Sequence, residues 1–388
     1  MKYYEDIAEI ITTVLDSQHK VENTLVLCKE NIFYPGGGGQ PSDRGKFITE
    51  KISEVIDVEV INDKEWIVVK GKMEVLSGEK VKLVLDSSRR NRLSKMHTAE
   101  HLFMKSLQNM VPLARHVKND FGEFESKVFF ESPELNWDML FEAEDQVRKI
   151  ISEDRGLIIH ICKKDELSRF PQLRIAKDRI KADEIRVLEI KDFDWSACKG
   201  VHLHSTKEVG SFFILGFNKD GNNWVIRFVT EPYEALFNMS EQFRMVRDYL
   251  KTSDESVLDI VKGLSVQVES YKELSREMQK RLLENPEVIK VGDIDLKIVC
   301  LGELDRTLVN ESLGKGLAGN TVALVIVLKE KSSQLMIFSS AASAKAIFLH
   351  LAGKFKGKGG GSEKSAAGEV EETDKLKIVE AVRQFLNK

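Results

Sequence analysis

The sequence predicts an α+β protein built in successive parts: a small N-terminal β-barrel, an α+β unit, a long coiled-coil-like helix and a C-terminal α/β domain. Three observations predict it. Residues 1–85 alternate apolar and polar positions in short runs, the period lengthens from two to about 3.6 after residue 86, and a strand pattern restarts near residue 286. With 388 residues and 42% apolar content the chain is too long for one core, and the expected partition is 1–85, 86–240, 241–285 and 286–388.

"NTLVLCKE", "KEWIVVKG" and "EKVKLVLD" read as strands separated by glycine-rich or charged breaks. After "KLVLD", Asp86 or Ser87 can cap a helix whose apolar face carries Leu93, Met96, Leu102, Phe103 and Leu107. His97 and His101 ride on that helix. Between residues 110 and 235, "DMLFEAEDQVRKIISE" is helical, while "LIIHICKK", "EIRVLEI", "SFFILGF" and "NWVIRFV" are extended. From about residue 240, Val257, Val261, Leu264, Val268, Tyr271, Met278 and Leu282 recur in steps of four and three, with Ser275 in the missing slot. Such a stripe suits a coiled-coil seam and, equally, a helix packed on its own domain. In the last part, "NPEVIKVGDIDLKIVCLGEL", "TVALVIVLKE" and "LMIFSSAASA" supply strands, "KLKIVEAVRQFL" a closing helix, and "KGKGGGSEKSAAGE" a glycine-rich landmark.

The formal net charge of -4 and a pI near 6.2 give no global positive field, so any nucleic-acid contact must use local patches. Candidates are Arg89, Arg90 and Arg92; Arg169, Arg174, Lys177, Arg179 and Lys181; and Lys354, Lys356, Lys358 and Lys364. A charge run is most often a solvated face. Cys28, Cys162, Cys198 and Cys300 are too dispersed for a disulfide framework, which points to a reducing compartment. The opening "MKYYEDIAEI" is no signal peptide and "VALVIVL" is too short to span a bilayer, so a cytoplasmic protein without membrane partners is expected.

"HTAEH" sets His97 and His101 four residues apart, one turn along a single helix face, where both rings can reach one ion. Alone, such a pair is more often two satisfied helix residues. "CKGVH" adds a second pair, Cys198 and His202, in a turn between strand-like runs. With only four cysteines and eight histidines in the chain, both pairs are an improbable coincidence. A helix pair plus a turn pair assembles a thiolate and imidazole site for which zinc is the leading ion, with His116 and His204 as possible substitutes for one ligand. Thr98 follows the first histidine, so the zinc-peptidase pattern is missing, and Glu100 reads as a helix-surface charge.

"FYPGGGGQPSDRG", "HTAEHL" and "CKGVHLHSTKEVGSF" resemble, in order and spacing, the editing domain of alanyl-tRNA synthetase and the free-standing alanyl-tRNA editing (AlaX) proteins. "KGKGGGSEKSAAGE" is similar to the signature of the C-terminal domain that those synthetases share with DHH-type phosphoesterases. The likeness touches nearly the whole chain and looks like the long-form AlaX architecture, with a DHH-associated-type C-terminal domain. It implies a zinc-dependent deacylase whose metal and catalytic residues are His97, His101, Cys198 and His202. The implied substrate is serine or glycine wrongly esterified to alanine tRNA. Two features depart from the synthetase pattern: Lys199, Gly200 and Val201 replace the usual two glycines and threonine, and only 32 residues precede "FYPGGGG", which leaves no room for an aminoacylation domain. An editor acting in trans is therefore expected. The alternative is a non-catalytic tRNA-binding protein with a structural zinc.

The chemistry suits the implied task. A pocket for alanine cannot exclude glycine by size and rejects serine only modestly, so fidelity needs a second, hydrolytic site. Gly37, Gly38 and Gly39 permit close backbone approach and offer amides to substrate, or else form a tight turn. Gln40 and Thr98 are candidates to hydrogen-bond serine's hydroxyl. Lys356, Lys358, Gly359, Gly360 and Gly361 can meet tRNA phosphates, or else lie in a surface loop. A homodimer through the helix or the C-terminal domain is also expected. Four protein ligands describe a closed metal site, whereas catalysis usually keeps a position open.

Overall fold

Alternating residues close the N-terminal strands into a barrel. After a 3-10 turn at Lys2–Tyr4 come β1 (Glu9–Lys20), β2 (Asn23–Cys28), β3 (Gly45–Ile48), β4 (Ile52–Ile61), β5 (Lys64–Val69) and β6 (Lys80–Leu85), in the closed order β1-β2-β5-β4-β3-β6. Val14, Val26, Phe47, Val55, Ile67 and Leu83 fill the interior. Closure leaves no unpaired edge, and register shifts at Val14/Asp16 and Val55/Asp57 supply the local bending that a six-stranded barrel requires. The computed structural model describes residues 2–175, 184–314 and 317–387.

Helix α1 (Ser87–Met110) starts where the period changes. Asp86 is its cap, its carboxylate accepting from the Arg89 amide at 3.0 Å. Leu93, Met96, Leu102, Phe103 and Leu107 are buried along one face. The chain continues through β7 (Arg115–Asp120), β8 (Ser126–Glu131), α2 (Trp137–Ser152), β9 (Leu157–Lys163), β10 (Glu184–Ile190), β11 (Asp194–Ala197), β12 (Phe213–Asp220) and β13 (Asn223–Val229). These build a four-stranded sheet, β12-β13-β8-β7, and a three-stranded sheet, β11-β10-β9. Helices α1 and α2 share one core with the four-stranded sheet, where Phe103, Phe130, Leu140 and Phe228 meet.

The Arg89–Arg92 stretch is engaged in internal contacts. Arg89 and Arg92 both bind Glu123, and Arg89 also donates to the Ser42 carbonyl. Arg90 pairs with buried Asp43 and donates to the Ile32 carbonyl. These charges brace α1 against the barrel because the helix's first turn is enclosed on that side. Lys177, Arg179 and Lys181 lie outside the described residues.

Residues 1–243 and 244–388 form separate units. Helix α3 (Tyr233–Leu250) begins earlier than the texture near residue 240 suggests, directly after Pro232, and α4 (Val257–Glu284) follows. In the second unit come β14 (Glu287–Val291), β15 (Ile294–Leu301), α5 (Arg306–Leu313), β16 (Thr321–Leu328), β17 (Ser333–Ser339), α6 (Ala344–Lys354), β18 (Lys358–Gly361), β19 (Ser365–Val370) and α7 (Lys375–Leu386). Their sheet runs β14-β15-β16-β17-β19-β18. Among the described strands of this sheet only β15 and β16 pair in parallel, and α5 lies in the crossover that parallel pairing needs. The "AASA" end of the expected strand turns into α6 instead, because Ser343 caps that helix by accepting from the Ala346 amide. On α4, Gln279 and Leu283 are buried, whereas the stripe from Val261 to Leu282 is exposed. Among the described residues no helix is long and apolar enough to cross a membrane.

Candidate metal centre

Helix α1 presents His97 and His101 from one buried face, and β11 feeds directly into the turn that carries Cys198 and His202. One ligand atom from each of the four lies within 4.8 Å of all the others. His97 Nε2 and His202 Nε2 are each 3.2 Å from Cys198 Sγ. Ligand bonds of about 2.0–2.1 Å to nitrogen and 2.3 Å to sulfur at a tetrahedral angle give an N···S edge of about 3.5 Å, close to that spacing. His101 Nε2 is buried with no hydrogen-bond partner, a gap that a cation would fill once the ring hydrogen sits on Nδ1. The residues therefore fit a metal ion.

The turn is packed too tightly for any residue but glycine at its middle. A Cβ on Gly200 would lie 2.1 Å from the His97 ring and 2.8 Å from Gln40 Oε1. Of the three residues between Cys198 and His202, Lys199 and Val201 differ from the family pattern, whereas Gly200 keeps its glycine and is the one fixed by space.

Each imidazole turns Nδ1 toward a protein group. Gln40 Oε1 accepts from His97 Nδ1 at 2.9 Å and from the Val201 amide at 3.1 Å. Thr98 Oγ1 accepts from the Leu203 amide and lies 3.4 Å from His202 Nδ1. An acceptor at Nδ1 holds the ring hydrogen there and leaves the Nε2 lone pair for an ion. His101 differs. Arg174, itself paired with Asp194, brings Nη2 to 3.1 Å from His101 Nδ1, and a guanidinium only donates. This contact puts the ring hydrogen on Nε2, so ligation by His101 requires Arg174 to turn away, for example toward the His101 carbonyl 3.5 Å from the same nitrogen.

Burial dominates the electrostatics. It pushes His97 down to about 3 and His101 and His202 well below the usual histidine value, so the three rings are neutral. It pushes the Cys198 thiol up to about 11, against the smaller lowering effects of the Gly200 amide and Arg186. An ion must displace that thiol's proton to bind it.

Gly37, Gly38 and Gly39 are exposed at the tip of a tight turn in which the Gly37 and Gln40 backbones exchange hydrogen bonds at 2.9 and 3.1 Å. Gln40, which follows, is buried at the centre, and its Nε2 has no partner. His116 contacts Asn119, and exposed His204 pairs with Asp6, so neither belongs to the four-residue group. Glu100 is not a surface charge: it is 3% exposed, faces His116 at 3.7 Å, and burial raises its pKa. Lys356, Lys358, Gly359, Gly360 and Gly361 sit in the other unit, where the glycine run is the exposed edge strand β18. The residues around the turn that sequence reasoning missed are Arg174, which it placed in a basic patch, and Arg186 and Tyr4, which bind the turn's carbonyls. All act across more than ten residues of separation, where no local pattern announces a pairing.

Residues 185–230, which include the Cys198 turn, match the family described as "Threonyl and Alanyl tRNA synthetase second additional domain". Fold and site thus define a protein of the synthetase-related class with a histidine–cysteine group able to hold a metal. The alanyl-tRNA editing protein AlaX-L of Pyrococcus horikoshii is 32% identical over 318 residues, covering 75% of this chain and 74% of that protein. AlaX-M of Methanosarcina acetivorans is 29% identical over 233 residues, 57% of this chain and 92% of its own. Alanine–tRNA ligase of Ignicoccus hospitalis is 29% identical over 313 residues, 78% of this chain and 34% of the ligase, so the chain spans about a third of that enzyme. This chain belongs to the AlaX family of alanyl-tRNA editing proteins.

Proposed function

We propose that the protein is a trans-editing hydrolase that cleaves the ester joining serine or glycine to alanine tRNA, with zinc held by His97, His101, Cys198 and His202. The observation that carries this reading is the convergence of three imidazoles and one thiol on a single buried point in a chain of this family. When bound, zinc supplies Lewis-acid polarisation and placement of the ester or its water. The chain's own residues do the rest. Gln40 and Thr98 hold the His97 and His202 rings so that Nε2 faces inward, and the tight Gly200 turn keeps Cys198 against His97. Gln40 Nε2, buried without a partner, donates to serine's hydroxyl; alanine has no group to accept that bond, which gives a preference for serine over alanine. The departure of Arg174 from His101 Nδ1 distinguishes the two states of the fourth ligand and reconciles a full ligand set with an open position.

In the C-terminal unit, Lys356 precedes and Lys358 begins an exposed glycine edge strand that admits close approach of an RNA backbone. We assign tRNA gripping to this edge, and association with a second copy to the exposed stripe on α4. Deleting residues 286–388 is expected to weaken tRNA binding, and replacing exposed Val261, Leu264 and Val268 with polar residues is expected to convert a dimer to a monomer in sedimentation; unchanged tRNA binding removes the first role and an unchanged oligomeric state the second.

The test is ester loss from alanine tRNA charged with serine, glycine or alanine. Rapid loss from the serine or glycine ester with the alanine ester intact is expected. No loss from any of the three, with tRNA binding retained, leaves the tRNA-binding reading.

A further inference from the structure

The Cys198 turn is held from outside by two side chains that the mechanism above does not use. Its three successive backbone carbonyls are all taken. Arg186, on β10, donates through Nη1 to the Cys198 carbonyl at 3.0 Å and to the Gly200 carbonyl at 2.8 Å. The Lys199 carbonyl between them accepts from the Tyr4 hydroxyl at 2.6 Å, across 195 residues of sequence. The Arg186 guanidinium in turn lies over the Tyr4 ring, 4.3 Å from its centroid, a cation–π contact that couples the two donors into one unit. The backbone of the turn closes the arrangement from the other side, where the Cys198 amide donates to the Arg186 carbonyl at 3.0 Å.

Tyr4 is itself anchored. Its neighbour Tyr3 donates to Glu65 of the barrel at 3.0 Å and packs edge-on against both Tyr4 and Tyr34, while Arg90 of α1 donates to the Tyr3 carbonyl. Asp6 reaches His204, two residues beyond His202. The same segment walls a cavity of about 280 Å³ whose far side includes Asn91, Ser94 and His202. The first residues of the chain are therefore tied to the barrel at one end and to the Cys198–His202 turn at the other.

We propose that Tyr4 and Arg186 form a clamp that positions the Cys198 turn, making the N-terminal segment a structural part of the metal centre. The inference rests on the proposed function only for its effect on turnover; the clamp's hold on the turn is independent of it. A turn with three free carbonyls can rotate its peptide planes, which swings Cys198 Sγ away from His97 and His202. Capturing all three removes that freedom. Lys199, one of the departures from the family pattern, contributes its carbonyl, so the clamp needs only the backbone at that position.

The direct test is the alkylation rate of Cys198 in the full-length, metal-free protein, read by peptide mass, in wild type, Tyr4→Phe, Tyr4→Ala and Arg186→Lys. Tyr4→Phe keeps the ring stack and loses one hydrogen bond, so Cys198 labelling is expected to rise about 2–10-fold; Tyr4→Ala and Arg186→Lys raise it further. Labelling of buried Cys28 and Cys162 reports overall folding and stays at the wild-type rate. In the metal-loaded protein the same variants should release metal to a chelator faster and lower kcat for the serine ester with KM unchanged. Wild-type labelling of Cys198 in all three variants overturns the clamp. Unchanged labelling with a rise in KM alone shows that Tyr4 contacts substrate instead. Faster labelling in a protein that hydrolyses none of the esters keeps the clamp and overturns the proposed function.

Discussion

Residues 36–39 and residues 359–361 are both glycine runs, yet they need glycine for different reasons. In the first, all four φ values are positive, from +63° to +141°, and a Cβ on Gly39 would lie 2.4 Å from the Asn119 carbonyl oxygen. That backbone delivers Gln40 to His97. In the second, none of the three is in the left-handed region, and the run is an extended strand. There space is short under Phe348: a Cβ on Gly359 would lie 2.6 Å from its ring, and one on Gly368 of the paired strand 2.2 Å. One run serves a buried polar centre and the other an exposed edge beside lysines. A glycine cluster thus marks a place where a side chain is forbidden, without saying whether torsion or space forbids it.

The largest expected effect separates the two runs. Gly39→Ala meets both a positive φ and the Asn119 backbone, and should cost about 2–4 kcal/mol in denaturant unfolding. Gly360→Ala, with extended backbone and nothing within 4 Å of its Cβ, should change stability by less than about 0.5 kcal/mol. Equal effects would mean that the runs differ only in location.

Gln40→Ala tests what the first turn is for. Removing the acceptor at His97 Nδ1 should weaken metal binding by about 10–100-fold in a chelator competition and erode the preference for the serine ester over the alanine ester. An unchanged preference would remove Gln40 from substrate selection. Within the centre, His101→Ala should cost less metal affinity than His202→Ala, because Arg174 already competes for the His101 ring. The reverse order would mean that Arg174 does not donate to His101 in solution.

The remaining prediction concerns pH. Burial keeps the three histidines neutral and the Cys198 thiol protonated up to about pH 11, so each ion bound displaces one proton. Metal affinity should then rise about tenfold per pH unit between about pH 6 and 9. A slope near two would show that a histidine also loses a proton.

The barrel and the four-residue cluster were legible because their signals are local. Period-two runs such as "KEWIVVKG" declare strands, and the H-x3-H and C-x3-H spacings each fit one helix turn or one loop. What stayed hidden depends on distance or on glycine's neutrality. Arg174 and Asp194 find each other twenty residues apart, and Tyr4 meets Lys199 from the opposite end of the unit. Strand β18 is built from residues with no strand preference, held in place by pairing with β19. The inward turn of Arg89, Arg90 and Arg92 was equally invisible, since arginines facing carboxylates and arginines facing RNA read alike in one dimension.

We propose the imidazole–thiol cluster as the working centre of an editing hydrolase. The most direct measurement is hydrolysis of serine-charged alanine tRNA by chelator-stripped protein, followed through stepwise addition of zinc, with Cys198→Ala treated identically. Stripping is expected to abolish ester loss, one equivalent of zinc to restore it in the wild-type protein, and Cys198→Ala to stay inactive. Full activity in the stripped protein, or in Cys198→Ala, would contradict it.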